Sequence, residues 1–262
     1  MTGRAKVLLL LLALCITAPA RAVDTLTGEQ IAARILKTGV FEADAGRFRV
    51  TMVLVSKDGI QRERELEIVA RTTKQGLVQS AVRVRKPSDV AGTAFLMLDK
   101  RNGPPDQYIF LPRLKRTRKV VGRERQGSFM GSDFTYFDLR RVDVKDAAHR
   151  RLPDDKIGTD PVYVVESMPR GAIRGTYSRV ETWVRKSDYL PLRTRFYDLQ
   201  GRLAKTLYAR RVQMGEDGKP FVKEARMQTH ETGHATLLVI DSAERREALP
   251  DSAFTPTALE HP

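Results

Sequence analysis

Cysteine is almost absent. The single residue, Cys15, sits in an apolar N-terminal run, so disulfides and thiol chemistry are excluded from the remainder. Beyond residue 22 no stretch approaches the ~18 consecutive apolar residues of a membrane-spanning helix. Heptads, sequence repeats, low-complexity segments, βαβ alternation and a Gly-rich phosphate loop are all missing. Histidines number four and tryptophan one. Catalytic groupings are correspondingly thin. Ser128 and Ser132 adjoin glycines but lack the G-x-S-x-G spacing of a nucleophile elbow. Glu63, Glu65 and Glu67 follow one another along a single strand face instead of pairing for acid–base work.

What is present begins with an address. Arg4 and Lys6 precede an uncharged apolar run from Val7 to Ala18, and Ala20-Arg21-Ala22 supplies small residues two apart. This is the pattern of a secretory signal peptide over residues 1–22, too short to anchor; Ala18-Pro19-Ala20 offers a second cleavage site. Leu14 stands where a lipobox wants Gly, Ala or Ser, which disfavours lipidation at Cys15. Cleavage after Ala22 removes Arg4, Lys6 and Arg21 and no acid, taking the net charge from +14 to +11. An exported chain of that charge suits an anionic surface such as lipid headgroups, or simply solubility; nucleic acid is not an expected partner. About 240 residues suit one domain, residues 23–262.

The order of elements is mostly β. Thr27-Gly28-Glu29-Gln30 has the form of a capping box, and Ile31, Ile35 and Leu36 share an apolar face, predicting an amphipathic helix over about 27–38 with Gly39 after it. The period then drops to two. Phe48, Val50, Met52 and Leu54 alternate with arginines and Thr51; Lys57-Asp58-Gly59 makes a hairpin turn; Gln61 to Ala70 and Val78 to Val84 continue the meander. Further strands are predicted at Asp160–Ser167, Arg174–Arg185, Pro191–Leu199, Arg202–Gln213, Phe221–His230 and Ala235–Ser242. Turns fall at Lys186-Ser187-Asp188, Gln200-Gly201 and Glu216-Asp217-Gly218-Lys219. About eleven strands with turns every ten residues or so point to a sandwich or barrel.

The stretch Arg83–Leu139 is the densest. In GTAFLMLD and QYIFLP both parities are apolar, as in strands covered on both faces, by the sheet interior on one side and a helix on the other. Arg113–Arg125 then carries seven basic residues in thirteen, and Phe129, Met130, Phe134, Tyr136 and Phe137 gather behind it. Ser132 or Asp133 is placed to cap a short helix through about Arg140, with Phe134 and Phe137 on one face. The pattern Lys86-Pro87, Gly92-Thr93, Leu98-Asp99, Tyr108-x-Phe-Leu-Pro112, Phe129-Met-Gly-Ser-Asp133-Phe134, Asp138-Leu139 resembles the outer-membrane lipoprotein-sorting family, the LolA-like carriers of Gram-negative bacteria. Glu181-Thr-Trp183-Val with its Lys-Ser-Asp turn, Leu190-Pro191-Leu192 and Phe196-Tyr197-Asp198, and the ending Leu249-Pro-Asp-Ser-Ala-Phe254-Thr, extend the match over nearly the whole mature chain.

The resemblance implies an incomplete, half-open antiparallel β-barrel of about eleven strands, with a few helices as plug or lid. It implies a monomeric, non-enzymatic periplasmic carrier without cofactor, whose apolar cavity takes lipoprotein acyl chains or another lipid. It further implies an inner-membrane transporter of RND/MMPL or Lol type and an outer-membrane acceptor. Glycolipids and polycyclic lipids also fit. By strand parity the expected cavity residues are Met52, Leu54, Phe95, Met97, Phe110, Phe129, Met130, Phe134, Trp183 and Phe196. Methionines at 52, 97 and 130 suit an adaptable wall, although aromatic and Met positions equally suit plain core. Arg113, Lys115, Arg116, Arg118 and Lys119 are expected to meet headgroups or an acidic partner, or to form a solvated face.

His230-Glu231-Thr232-Gly233-His234 matches the H-E-x-x-H pattern of zinc hydrolases, which offers an enzyme alternative. That chemistry needs a helix. Gly233 and the alternation on both flanks argue for strands with a turn, where histidines four apart lie ~13 Å from each other. A protein that serves as a transporter adaptor with no internal ligand is the third reading.

Overall fold

The computed structural model describes residues 25–36, 38, 45–140, 143–170, 176–215, 218–245 and 248–261. The segment expected to be a signal peptide and Cys15 lie outside them, as do Gly39, Arg174, Asp217 and Glu216. Six strands, β1 (Ala45–Val55), β2 (Gln61–Thr72), β3 (Val78–Lys86), β4 (Ala94–Leu98), β5 (Asp106–Leu111) and β6 (Arg116–Lys119), form one meander. Seven more, β7 (Ala147–Ile157), β8 (Asp160–Pro169), β9 (Arg179–Arg185), β10 (Pro191–Tyr197), β11 (Leu203–Met214), β12 (Pro220–Thr229) and β13 (Ala235–Arg245), form a second. Two helices flank them, α1 (Gly28–Ile35) and α2 (Pro256–Glu260).

β1 pairs with β13, zipping the two meanders into one antiparallel sheet of order β6-β5-β4-β3-β2-β1-β13-β12-β11-β10-β9-β8-β7. β6 and β7 remain as edges, so the sheet is open, as the half-open barrel reading expected. It has thirteen strands instead of about eleven. The added two carry weak patterns: β6 is only Arg-Thr-Arg-Lys, and β7 holds Pro153 and little alternation, which an edge strand tolerates.

Parity decides the two faces. Phe48, Val50 and Met52 of β1, Leu66 and Ala70 of β2, Val82 and Val84 of β3, Phe95 and Met97 of β4 and Ile109 of β5 are buried in one cluster on the inner face. Each large apolar side chain so buried contributes about 1.5–3 kcal/mol. On the outer face Glu67 binds Arg47 and Arg85, both at 2.7 Å, and Glu65 binds Lys86 at 2.7 Å; exposed pairs of this kind add little each.

β4 is apolar on both parities because it is covered twice. Its Ala94 and Leu96 meet Phe254 and Leu259 from the C-terminal segment. Arg83 donates to the carbonyls of Ala258 and Leu259 (3.1 and 3.0 Å), satisfying the end of α2. Arg71 stacks on Phe254 at 4.6 Å.

The chain from β6 to β7 must join opposite edges of the sheet, and its described residues 120–140 cross the inner face. It brings Val120, Phe129, Phe134 and Tyr136 into the same core. Phe129 meets Phe95 edge-on at 5.2 Å and Tyr136 at 5.7 Å. Gln107, buried, donates to the Tyr136 carbonyl at 2.7 Å, and Arg64 donates to that of Met130. The helix expected from Ser132 to Arg140 does not form. Asp133 accepts from Thr229 and Thr236 on the sheet (2.6 and 2.7 Å) instead of capping. Ser132 bonds back to Phe129, and Thr135 closes a turn with Asp138. Phe134 therefore enters the core, while Phe137 lies against Tyr177.

α1 forms as its sequence dictates. The capping box is complete, with Thr27 N–H donating to Gln30 Oε1 (3.0 Å) and Gln30 N–H to Thr27 Oγ1 (3.2 Å). Its Ile31 packs on Tyr163, Val165 and Val184 of β8 and β9. Gly28 permits this docking, because a Cβ there would lie 2.8–2.9 Å from backbone atoms of His149 and Arg150.

Candidate ligand-binding cavity

A cavity of ≈ 230 Å³ lies between α1, the crossing segment and strands β7–β10. Its floor follows from register. His149 pairs with Ser167, Ser167 with Val180, and Val180 with Phe196, so one residue from each of four strands forms a continuous row on the inner face. Ala32, Ile35 and Leu36 of α1 cover it, and Phe137, Asp138 and Arg140 close the side towards the core. Tyr177 joins the rings of Phe196 (5.0 Å) and Phe137 (5.9 Å). The lining is predominantly apolar, with a few polar groups at one side, the usual make-up of a small-ligand site.

Those polar groups are mostly committed to each other. Asp138 accepts from Tyr177 Oη (2.7 Å), Thr135 N–H (2.8 Å) and Lys205 Nζ (3.2 Å). Lys205 also donates to the Asp133 carbonyl at 2.7 Å, tying the crossing segment to β11. Burial, with the Asp138 carboxylate beside it, pushes the Tyr177 phenol up, so it stays a hydrogen-bond donor. His149 places Nδ1 at 2.8 Å from Ser167 Oγ and Nε2 at 3.0 Å from the Val144 carbonyl. Nε2 therefore donates to the carbonyl, and Nδ1 shares a hydrogen bond with the serine hydroxyl.

Arg140 differs. Its guanidinium lies over the Phe137 ring at 3.8 Å. Nε and Nη2 are closed off from solvent and find no acceptor among the described residues. Burial lowers its pKa to about 10, partly opposed by Asp146, so it remains a cation at neutral pH.

The structure divides the residues expected to line a cavity. Met52, Phe95, Met97, Phe129 and Phe134 are buried together, with Leu54, Met130 and Phe196 packed against them. Of the ten, Phe196 also borders the open cavity. Phe110 and Trp183 point elsewhere, which corrects the parity assignment. Phe110 pairs with Ala94 on the outer face, under the C-terminal segment. Trp183 sits opposite Thr182 and Val184 in a satellite core with Val162, Val164, Leu190 and Leu192. Its indole donates to Asp155 at 2.8 Å, and Arg193 stacks on it at 3.9 Å.

The basic run forms the β5–β6 hairpin tip and the β6 edge. Arg113, Lys115 and Arg116 are exposed there, around an exposed Leu114. Lys119 pairs with Asp106 at 2.8 Å, and Arg118 with Glu124.

The H-E-x-x-H segment is the β12–β13 turn, closed by Thr229 N–H to His234 O (2.9 Å) and Gly233 N–H to Thr229 O (3.0 Å). Gly233 has φ +70°, and His230 Nε2 lies 2.8 Å from Thr206 Oγ1. The helical frame that zinc hydrolysis requires is not the one adopted. Among the described residues no group of three metal-ligating side chains occurs.

Known structures agree with this architecture. A domain from Vibrio parahaemolyticus, described as a candidate outer membrane lipoprotein-sorting protein domain, superposes with TM-score 0.83 at 27% identity, covering 89% of this chain and 98% of that one. A DUF1329 family protein from Desulfovibrio piger ATCC 29098 gives 0.82 at 25% identity over 88% and 97%. A LolA superfamily protein from Nitrosomonas europaea shares the fold at TM-score 0.69 and 21% identity, over 88% and 98%. No curated protein matches the chain. The open sheet and these neighbours together give the chain the fold of the LolA-like and lipoprotein-sorting structures. A family model described as an uncharacterized protein matches residues 76–261, and the chain belongs to that family.

Proposed function

We propose that the protein is a non-enzymatic carrier in the periplasm that shelters a lipid or lipoprotein acyl chain and moves it toward the outer membrane. The observation that supports this reading most is the apolar cavity between α1 and the crossing segment, on the face of the sheet that the open edges leave approachable. A carrier hides each methylene from water for ~0.8 kcal/mol and must also let go. An apolar wall partly made of a crossing segment suits both demands. The acyl chain enters beside Phe196 and extends towards Phe129, Met130 and Phe134 as the crossing segment shifts, bringing Met52, Leu54, Phe95 and Met97 within its reach.

Residues 1–22 export the chain, and residues 23–262 act as one carrier domain. The exposed hairpin tip, Leu114 among Arg113, Lys115 and Arg116, meets anionic headgroups or an acidic surface on an inner-membrane transporter of RND/MMPL or Lol type. An outer-membrane acceptor takes the cargo. The likeness to the lipoprotein-sorting domain of Vibrio parahaemolyticus supports the lipoprotein-sorting direction.

The test is native mass spectrometry of protein purified from periplasm without detergent, with organic extraction of what it holds. The expected result is a discrete lipid or acylated peptide at about one per chain. An empty protein that also takes up no lipid from vesicles would sink the carrier reading in favour of an adaptor.

A further inference from the structure

We infer that the cavity beneath α1 selects a single-chain amphiphile with an anionic head, and that Arg140 is the residue that reads the head. This rests on the carrier reading and specifies its cargo class. Three observations carry it. The first is size. A space of ≈ 230 Å³ holds several times one water's ~30 Å³ share. It falls just short of the ~300 Å³ at which pockets for compact drug-sized ligands begin. One aliphatic chain fits such a slot.

The second is the distribution of polarity. Tyr177, Phe196, Val180, Ile35, Leu36 and Phe137 give the slot an apolar body. The carboxylate on its wall, Asp138, is already matched by Lys205, Tyr177 and Thr135, so it needs no cationic ligand. His149 and Ser167 are matched to each other.

The third is the unmatched cation. Buried polar groups nearly always have partners, yet Arg140 keeps Nε and Nη2 without one among the described residues. Phe137 occupies a face of the guanidinium, which leaves the planar edge, the part that binds carboxylate and phosphate oxygens two at a time. Asp146 acts on Arg140 through space without forming an ion pair. Arg125 lies close enough to repel it, and its own Nε is also buried without a partner. An entering anion is attracted by both cations, and a turn of the Arg140 guanidinium, whose Nε and Nη2 are closed off in the structure, brings those donors to it. A neutral acyl group gains neither.

The experiment uses the exported protein, stripped of lipid, titrated calorimetrically with laurate, dodecyl phosphate and dodecanol. These share one chain and differ in the head. Laurate or dodecyl phosphate should bind at least ~10-fold more tightly than dodecanol, the scale of a hydrogen bond to a charged group. The tighter of the two tells a fatty-acid source from a phospholipid-type one. Arg140→Gln should abolish the preference, bringing both anions to the affinity that the same variant has for dodecanol, and Arg140→Lys, which keeps the charge, should restore part of it. Equal affinity for dodecanol and both anions, or equal loss of all three ligands in both variants, would overturn the assignment and leave the carrier reading standing. If no probe binds and wild-type protein takes nothing from vesicles, both fall.

Discussion

Lys205→Met tests the tie that holds the crossing segment to the sheet. The Lys205 and Asp138 side chains are 13% and 2% exposed, with Nζ 3.2 Å from Oδ2. Removing the ammonium leaves a buried carboxylate with Tyr177 and Thr135 as neutral donors, and it strips the Asp133 carbonyl of its donor. Breaking a buried pair in this way costs about 3–5 kcal/mol, a large share of the ~5–15 kcal/mol that a domain has in total. Asp138→Asn leaves the opposite charge stranded and should cost a similar amount. The double variant strands neither, so it should lose less than the two single losses together by about 1–3 kcal/mol. The assay is urea unfolding followed by Trp183 fluorescence and by far-UV circular dichroism. Trp183 reports from the satellite core, remote from the tie. Coincident transitions with constant slope would show that the loss is global; an early change with increased chymotryptic cleavage at the aromatic residues between Gly127 and Arg140 would show local release. Single losses under ~1 kcal/mol, as for solvent-exposed pairs, or losses that simply add, would refute the reasoning.

Three further outcomes follow from the packing and charge. Phe95→Ala removes a ring that is 1% exposed and in contact with Phe129 and Tyr136; it should cost about 3–5 kcal/mol, measured by the same urea curves. Gly28→Val places side-chain atoms where a Cβ alone meets backbone at 2.8 Å. It should destabilise by at least about 1–3 kcal/mol and impair lipid uptake from vesicles by displacing α1, whereas Thr27→Ala should lose about 1 kcal/mol through the cap alone. Asp106 is held below the usual carboxylate range by hydrogen bonds from Lys119 and Lys100. A depressed folded pKa stabilises fully above the unfolded value of ~3.9 and is lost as pH falls through the folded value. Asp106→Asn should therefore flatten the acid side of the stability–pH profile.

The sequence disclosed what is periodic and hid what is assembled. The capping box at Thr27, the alternation through Phe48–Met52 and the Gly59 turn are local, and each formed as its chemistry required. The double apolar parity of Ala94–Met97 correctly announced two covers, because a strand cannot leave either such face in water. Trp183 and Phe110 went astray for a related reason. Alternation tells which residues share a face, not which face meets the cavity, and large side chains fill the outer satellite cores as readily as the inner one. The segment after Ser132 misled because Asp133 had a stronger offer from two threonines some hundred residues away than from a helix end.

The cavity itself had no local signature. Its floor takes one residue from each of β7–β10, and β7 shows no alternation to mark it. Arg140 lies in a run where charge is common, so its type alone carried no signal. It is singled out by what surrounds it, an aromatic ring on a face and no acceptor at its edge. The two halves of the site thus draw on different physics. The apolar floor follows from sheet register, which fixes side-chain direction strand by strand. The cation follows from the crossing segment, which must pass between two open edges and carries whatever it bears into the interior. A sheet closed on itself would need no such crossing. The open edges therefore require the segment that places a charged group against an apolar wall.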